Sequence, residues 1–207
     1  MSFKFRSLAV AIAAISSAVA ANAAGLDRST QPSWAFTQDG TFAYIEHITI
    51  DPDVSGKDNA EFPPKKDSFT PGQDVPNMAQ DYNFLNFGAK ADVNDRVSIG
   101  AFFDQPWGAD VQYTGTNDFV GAPTTVIAGT NVEIESQNFT GLIGVKLGQN
   151  KNIQVYGGPV LQKINGEIHL RGDAYQQVSG YDANIPSNTD YGWMAGVAYS
   201  KPEIALK

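Results

Sequence analysis

The 207-residue sequence contains no cysteine and, beyond its N-terminus, no apolar run long enough for a membrane-spanning helix. The first absence excludes disulfides, thiolate nucleophiles and zinc–thiolate sites. A spanning helix needs about 18 consecutive apolar residues. Basic residues are also few, because 14 Lys and Arg stand against 22 Asp and Glu and give a net charge of -8. This charge argues against nucleic acid as a partner, since nucleic acid requires a basic face.

The N-terminus has the pattern of a secretory signal peptide. Lys4 and Arg6 precede an apolar run at 8–19, and Ala21-Asn22-Ala23 supplies the small residues of a cleavage site. The run is too short to cross a bilayer as a helix. We therefore expect residues 1–23 to be a signal peptide and the mature chain to begin at Ala24.

The stretch at 82–114 predicts two strands joined by a tight turn at Asn94-Asp95. In the first strand, alternate positions are apolar and define one face: Leu85, Phe87, Ala89, Ala91 and Val93. The second strand, at 97–113, contains Pro106, which cannot donate a ladder hydrogen bond, and Gly108, which permits a bend. We predict an interruption of this strand that matters for function, and the alternative is a simple bulge at the rim of a barrel.

Long and short connections alternate along the remaining chain, between predicted strands at 41–50, 82–93, 97–113, 132–147, 152–170, 191–200 and 203–207. Outer-membrane β-barrels have this alternation of short turns and longer loops. Trp193, Ala195 and Val197 share one face, with Tyr191 and Tyr199 at its ends as an aromatic girdle would place them. The sequence therefore predicts an all-β, antiparallel transmembrane barrel. We divide it into the signal peptide at 1–23, a short plug-like segment at 24–40 and barrel strands at 41–207.

Two parts of the apolar pattern have no single explanation. In the strands at 132–147 and 152–170 the apolar residues change from one alternate set to the other. A β-bulge accounts for this change, and so do strand ends that project beyond the bilayer. Glu46 falls among the predicted apolar set of the first strand, which comprises Phe42, Tyr44, Ile48 and Ile50.

Several segments resemble the N-terminal half of the long-chain fatty acid outer-membrane transporter family (FadL/TodX type). They are AAGLDRSTQ at 23–31, IDPDVSG at 50–56, FGAKADVNDRVSIGAFFDQPWGADVQY at 87–113, IQVYGGPVLQKINGEIHL at 153–170 and YGWMAGVAYSKPEIALK at 191–207. The resemblance implies a monomeric barrel of about fourteen strands in the outer membrane of a Gram-negative bacterium. About seven strands are present, so we expect a fragment of a longer gene product.

The same resemblance implies passive uptake of long-chain fatty acids or related hydrophobic molecules, without a cofactor and in contact with outer-membrane lipid. Ligand would leave sideways at a kink in the third strand, which matches Asp104, Gln105, Pro106, Trp107 and Gly108. The resemblance also implies a cationic anchor for the ligand carboxylate, for which Arg171 and Lys163 are candidates. Four apolar loop residues would line the hydrophobic access site or pack the loop onto the barrel: Phe119, Val120, Val126 and Ile127.

No residue pattern points to catalysis, and we expect a protein that is not an enzyme. A barrel esterase or phospholipase would need a Ser-His-Asn set, for which Ser136, Asn138 and His169 are ingredients that no motif joins. Two acidic pairs, Asp51 with Asp53 and Glu133 with Glu135, have the chemistry of calcium ligands. Such pairs are more often solvated, and we expect no metal. A structural or adhesive barrel that transports nothing is the other alternative.

Overall fold

The computed structural model of the chain describes residues 27–28, 31–58, 72–115, 117–120 and 129–200. The predicted signal peptide, the first residues of the plug-like segment and the predicted strand at 203–207 lie outside these residues. Two short helices occur in the described part: α1 (Ser33–Phe36) and a 3-10 helix (Asp173–Val178). The strands are β1 (Phe42–Ile50), β2 (Gly56–Lys57), β3 (Asp74–Val75), β4 (Tyr82–Asp92), β5 (Val97–Asp104), β6 (Gly108–Gln112), β7 (Asn131–Leu147), β8 (Ile153–His169) and β9 (Asp182–Tyr199).

Seven of the strands form one antiparallel sheet in the order β1-β4-β5-β7-β8-β9, with β6 following β5 along the same edge of β7. The strands β2 and β3 form a separate two-stranded ribbon in the first long connection. The predicted all-β, antiparallel class is therefore confirmed. None of the helices in the described residues is long and apolar enough to cross a membrane.

Short turns connect the long strands at one end of the sheet. At the predicted Asn94-Asp95 turn, Asn94 Oδ1 accepts hydrogen bonds from the N–H groups of Arg96 and Val97, each at 2.9 Å. Beside it, Lys151 Nζ lies 2.5 Å from Asp95 Oδ2 and ties the β7–β8 turn to the β4–β5 turn. The Asn side chain thus replaces ladder partners that the tight turn removes.

The two faces of the sheet differ in what covers them. The helix face carries α1 and the buried side chains of Asn86, Lys90, Phe102, Thr140 and Leu142. The opposite face, called the open face below, carries exposed apolar side chains: Ile45, Phe87, Ile99, Phe139, Ile143, Val145, Val155, Leu161, Tyr191, Trp193 and Val197. Because successive side chains of a strand alternate between faces, the odd-numbered residues of these strands supply the open face.

The ladder register aligns the open-face residues into rows across the sheet. One row of directly paired residues crosses all six strand positions: Ile45, Phe87, Phe103, Phe139, Leu161 and Tyr191. Phe87 and Phe103 stack within it, with ring centroids 4.9 Å apart. A parallel row contains Val97, Val145, Val155 and Val197. The apolar surface is therefore continuous from strand to strand.

The buried core lies between α1 and the helix face. Ala35 and Phe36 of α1 pack with Phe102 and Leu142 of the sheet. The Phe36 ring meets Phe102 edge-on at 6.3 Å between centroids. Glycine is required below it, because a Cβ on Gly144 would lie 2.7 Å from Phe36 Cε1.

A buried lysine fixes the chain just after α1. Lys90 is 1% exposed, and its Nζ donates to Gln38 O at 2.6 Å and lies 2.8 Å from Asp92 Oδ1. Asp92 also accepts from Gly40 N–H at 3.1 Å and from Ser98 Oγ at 2.6 Å. This network attaches the α1 segment to β4 and β5.

One local prediction was wrong, and the strand pairing explains two features of the apolar pattern. The stretch at 182–189 was predicted as loop but belongs to β9, because Asp182 to Asn188 continue the pairing with β8 through one register shift at Ile164/Gly166. No bulge separates the halves of the β7–β8 ladder, whose pairs keep one register from Asn131↔His169 to Leu147↔Ile153. The apolar residues of these strands therefore change face. In β1 the predicted apolar set lies toward the helix face, whereas Ile45 is exposed on the open face.

Candidate functional site

The sheet is interrupted where β5 passes into β6. Asp104 pairs with Asn138 and Gly108 pairs with Glu135, so three residues on one strand face two residues on β7. This count defines a β-bulge. Ser136 replaces the missing ladder bonds, since its Oγ accepts from Trp107 N–H at 2.8 Å and donates to Trp107 O at 2.7 Å. The predicted interruption at 104–108 is confirmed.

The bulge leaves residues 82–86 of β4 without a ladder partner on the edge that faces β6, although their other edge pairs with β1. The β4–β5 ladder ends at Phe87↔Phe103, and in the described residues no ladder pair joins 82–86 to β6. Gln105 bridges this distance, accepting from Leu85 N–H at 2.9 Å through Oε1 and donating its own N–H to Asn86 Oδ1 at 3.4 Å. Beyond the N-terminal end of β4 the backbone is again bonded to β6, since Gln80 N–H donates to Asp110 O and Gln112 N–H donates to Met78 O. The wall therefore has a bounded gap.

The N-terminal segment occupies this gap. Arg28 N–H donates to Pro106 O at 2.7 Å, and Asp27 forms an isolated β-bridge with Trp107. The Arg28 guanidinium lies 4.2 Å from the centre of the Tyr82 ring, a cation–π contact. It also lies directly above Gly108, where a Cβ would meet its guanidinium carbon. A side chain at position 108 would therefore displace Arg28.

Cavities lie on both sides of the gap. The first, about 360 Å³, is polar and is lined by Arg28, Asp81, Tyr82, Asn83, Gln105, Ala109, Asp110, Glu133, Glu135 and Gln137. The second, the helix-face cavity, has about 500 Å³ and is lined by Gln31, Pro32, Trp107, Asn138, Thr140, Val160, Gln162 and residues 190–195 of β9. Arg28 lines one cavity and Gln31 the other, so the N-terminal segment lies between them.

A row of polar side chains, called the polar row below, crosses the helix face at the level of the gap. Direct ladder pairs join Glu46 with Asn86, and Asp104 with Asn138, Gln162 and Asp190 in succession. The two groups of residues meet at the bulge, where the Gln105 N–H donates to Asn86. Glu46, unexplained by the sequence pattern, belongs to this row.

The two predicted anchor residues lie away from both cavities. Arg171 is held in place by its neighbours, since its Nη2 lies 2.5 Å from Asp182 Oδ1 and its Nη1 donates to the carbonyls of Leu170 and Tyr181. Lys163 is exposed on the open face, two residues beyond Leu161. The structure does not bring these two cations together.

Of the four predicted loop residues, Phe119 and Val120 are described, whereas Val126 and Ile127 lie outside the described residues. Val120 is buried, and its carbonyl accepts from Thr130 N–H at 2.9 Å. The Phe119 carbonyl accepts from Ala174 N–H at 2.8 Å. These bonds fasten the loop after β6 to the residue before β7 and to the loop after β8.

Neither the catalytic ingredients nor the acidic pairs converge on a shared centre. Ser136 and Asn138 lie on the helix face, whereas His169 lies at the far end of β8 and pairs with Asp182 at 2.6 Å. Glu133 and Glu135 line the polar cavity of the gap. The described residues contain no group of three or more acidic or histidine side chains placed to hold a metal ion.

The comparisons with known proteins leave the family open. No protein-family model matches the sequence, and no curated protein matches it either. The geometry of the gap, its two cavities and the apolar open face therefore carry the functional argument.

Proposed function

We propose that this chain forms part of a transmembrane β-barrel in the outer membrane of a Gram-negative bacterium. In this proposal the barrel takes up long-chain fatty acids or related hydrophobic molecules and releases them sideways through the gap between β4 and β6. The single observation that carries the proposal is that gap, where five residues of β4 have no ladder partner on the side of β6 and Asp27 and Arg28 contact the bulge instead.

The open face supports the membrane assignment. Trp193 is 81% exposed and Val197 is 71% exposed, although both are large and apolar. A contiguous apolar surface of this kind is unfavourable in water and typical of an interface with lipid or protein. Tyr191 and Tyr199 border it eight residues apart, which at about 3.3 Å per residue is about 26 Å along the strand, or about 20 Å along the membrane normal for a strand tilted by about 40°. An outer-membrane barrel has an apolar band about 25 Å tall between aromatic girdles.

The gap supports sideways release. A closed barrel ordinarily has no free strand edge, so a bounded gap in the ladder gives a route through the wall without unfolding the sheet. The gap adjoins the Phe87–Phe103 row, which marks the same edge of the apolar band as Tyr191. A hydrophobic molecule that leaves here meets the apolar open face at that row.

Restoring the strand register tests the proposal. Deleting Pro106 leaves two residues facing Ser136 and Gln137, which allows a continuous ladder and closes the gap. Pro106→Ala is the matched control, because it removes the ring but keeps three residues against two. Uptake of a radiolabelled long-chain fatty acid should be lost on deletion and retained by Pro106→Ala, at equal amounts of protein in outer membranes. Equal uptake by the deletion variant would contradict sideways release, and no uptake by the unaltered protein would favour a structural barrel.

A further inference from the structure

The polar row leaves buried hydrogen-bonding groups without partners. Asp104 is 2% exposed, and neither of its carboxylate oxygens has a hydrogen-bond partner. The same is true of Asn138 Oδ1 beside it and of Thr140 Oγ1 one pair further along β7. Buried acceptors without donors destabilise a protein, and those seen in native structures call for an explanation. A ligand that donates hydrogen bonds would provide one.

The helix-face cavity reaches two of these residues. Asn138 and Thr140 form part of its wall, together with Gln162 and Asp190 of the polar row. Apolar side chains complete the lining, among them Trp107, Val160 and Met194. A cavity of about 500 Å³ with polar groups on one side and apolar groups on the other suits a molecule with a polar head and a hydrocarbon chain.

The charges around the cavity select against an anionic head. Asp190 of the cavity wall is a carboxylate, and a carboxylate ligand placed beside it would be repelled. The helix-face lysines are engaged elsewhere, Lys90 by Asp92 and Gln38 and Lys146 by Asp39. Arg171 and Lys163 do not line the cavity.

We propose that the helix-face cavity binds the head of an amphiphile that donates hydrogen bonds and carries no negative charge, such as the hydroxyl of a long-chain alcohol. The polar row accepts the hydroxyl hydrogen, and the chain lies along Val160 and Met194. This inference rests on the proposed uptake function and adds a second site for those of its hydrophobic ligands whose head carries no negative charge.

Binding of two brominated probes of equal chain length tests the inference. Trp107 lines the cavity, so a variant with Trp34→Phe and Trp193→Phe reports binding there through quenching of its single remaining tryptophan. The purified full chain is titrated with ω-bromododecanol and with ω-bromododecanoate at a pH where the latter is ionised. The alcohol should bind at least about tenfold more tightly, a difference of about 1.4 kcal/mol. Asp190→Asn should reduce this preference, because it removes a carboxylate from the cavity wall at equal shape, whereas Asp53→Asn, away from the cavity, should not.

The possible outcomes distinguish a failure of this inference from a failure of the proposed uptake function. Equal or tighter binding of the carboxylate overturns the headgroup assignment while leaving hydrophobic uptake in place. Failure of both probes to quench Trp107 overturns both. An unchanged preference in Asp190→Asn, with a second variant Thr140→Val also unchanged, overturns the role of the polar row.

Discussion

At the scale of single residues, Lys90 shows how a buried ammonium group is compensated by neighbouring acceptors. Its ammonium is satisfied by one carboxylate and one carbonyl, both fixed by neighbouring strands and by the α1 segment. Removing one partner of a buried ion pair is costly, because the remaining charge loses its compensation. Asp92 is itself partly exposed, which moderates the cost.

We therefore expect Lys90→Met to destabilise the fold by about 2–3 kcal/mol and to release the α1 segment. Urea unfolding measures the first effect, and limited proteolysis at 31–41 measures the second. Lys57→Met is the control, since the Lys57–Asp74 pair is exposed and such pairs contribute about 0–1 kcal/mol. Equal effects of the two substitutions would contradict the anchoring role of Lys90.

The cluster of His169, Arg171 and Asp182 gives the outer ends of β8 and β9 a pH dependence. The hydrogen bond to Asp182 raises the pKa of His169 above its ordinary 6.5. Hydrogen bonds from His169 and then Arg171 lower the pKa of Asp182 below its ordinary 3.8. The His169 contribution is complete below about pH 6.5 and is lost as pH rises through its raised pKa. The Asp182 contribution is present above about pH 3.8 and is lost as pH falls through its lowered pKa.

Amide hydrogen exchange should therefore be slowest at the ends of β8 and β9 between about pH 4 and 6.5, after correction for intrinsic exchange rates. The His169→Asn variant should lose the decline on the alkaline side and keep the one on the acidic side. A pH profile identical to that of the unaltered protein would show that the His169–Asp182 pair contributes nothing there.

At the scale of elements, the close fit of α1 against the sheet depends on glycine at 144. Gly144→Val should push Phe36 outward, because even a Cβ would lie 2.7 Å from its ring. We expect the variant to expose the α1 segment to protease and to increase the permeability of cells to hydrophilic dyes. Gly141→Val on the same strand is the control, since the nearest atom to its added Cβ lies 3.9 Å away. Unaltered permeability in Gly144→Val would argue that α1 does not obstruct a passage.

The sequence allowed the β4–β5 hairpin to be predicted in detail, because a two-residue period and an Asn-Asp turn are local signals. The interruption at Pro106 was also predictable, since proline removes a ladder donor wherever it stands. The gap itself could not be predicted, because it depends on hydrogen bonds of the bulge with Ser136 and Arg28, which are distant from it in the sequence. The loop predicted at 182–189 is a strand because pairing with β8 outweighs its weak local propensity.

At the scale of the whole molecule, the apolar open face is the main support for the proposed location in a membrane. Side-chain alternation predicted one apolar face for β4 and β9, but the faces of β1 and of the upper halves of β7 and β8 emerged only from their pairing. Glu46 is the clearest example, because its place in the polar row depends on Asn86 of a strand forty residues later. Long-range register is not a local property of sequence.

A charged side chain within the apolar band of the open face should destabilise the membrane-inserted fold far more than a charged side chain outside the band. The substitution Ala195→Lys places a charge midway between Tyr191 and Tyr199. The substitution Thr189→Lys places one on the same strand and the same face, but outside the band. At the bilayer midplane lysine costs about 2–4 kcal/mol and near its edge about 0–1 kcal/mol. Folding into phospholipid vesicles, followed in urea, should show this difference. Equal effects at the two positions would contradict a lipid-facing open face.

The most direct test of the account is to locate a hydrophobic ligand during its passage. A long-chain fatty acid with a photoreactive group at its hydrocarbon end is supplied to cells that carry the protein, illuminated, and mapped by peptide mass spectrometry. We predict cross-links to the residues around the gap, Tyr82, Asn83, Gln105 and Ala109, and their loss when Pro106 is deleted. Efficient uptake with cross-links only to the loops and none at the gap would contradict release through the wall between β4 and β6.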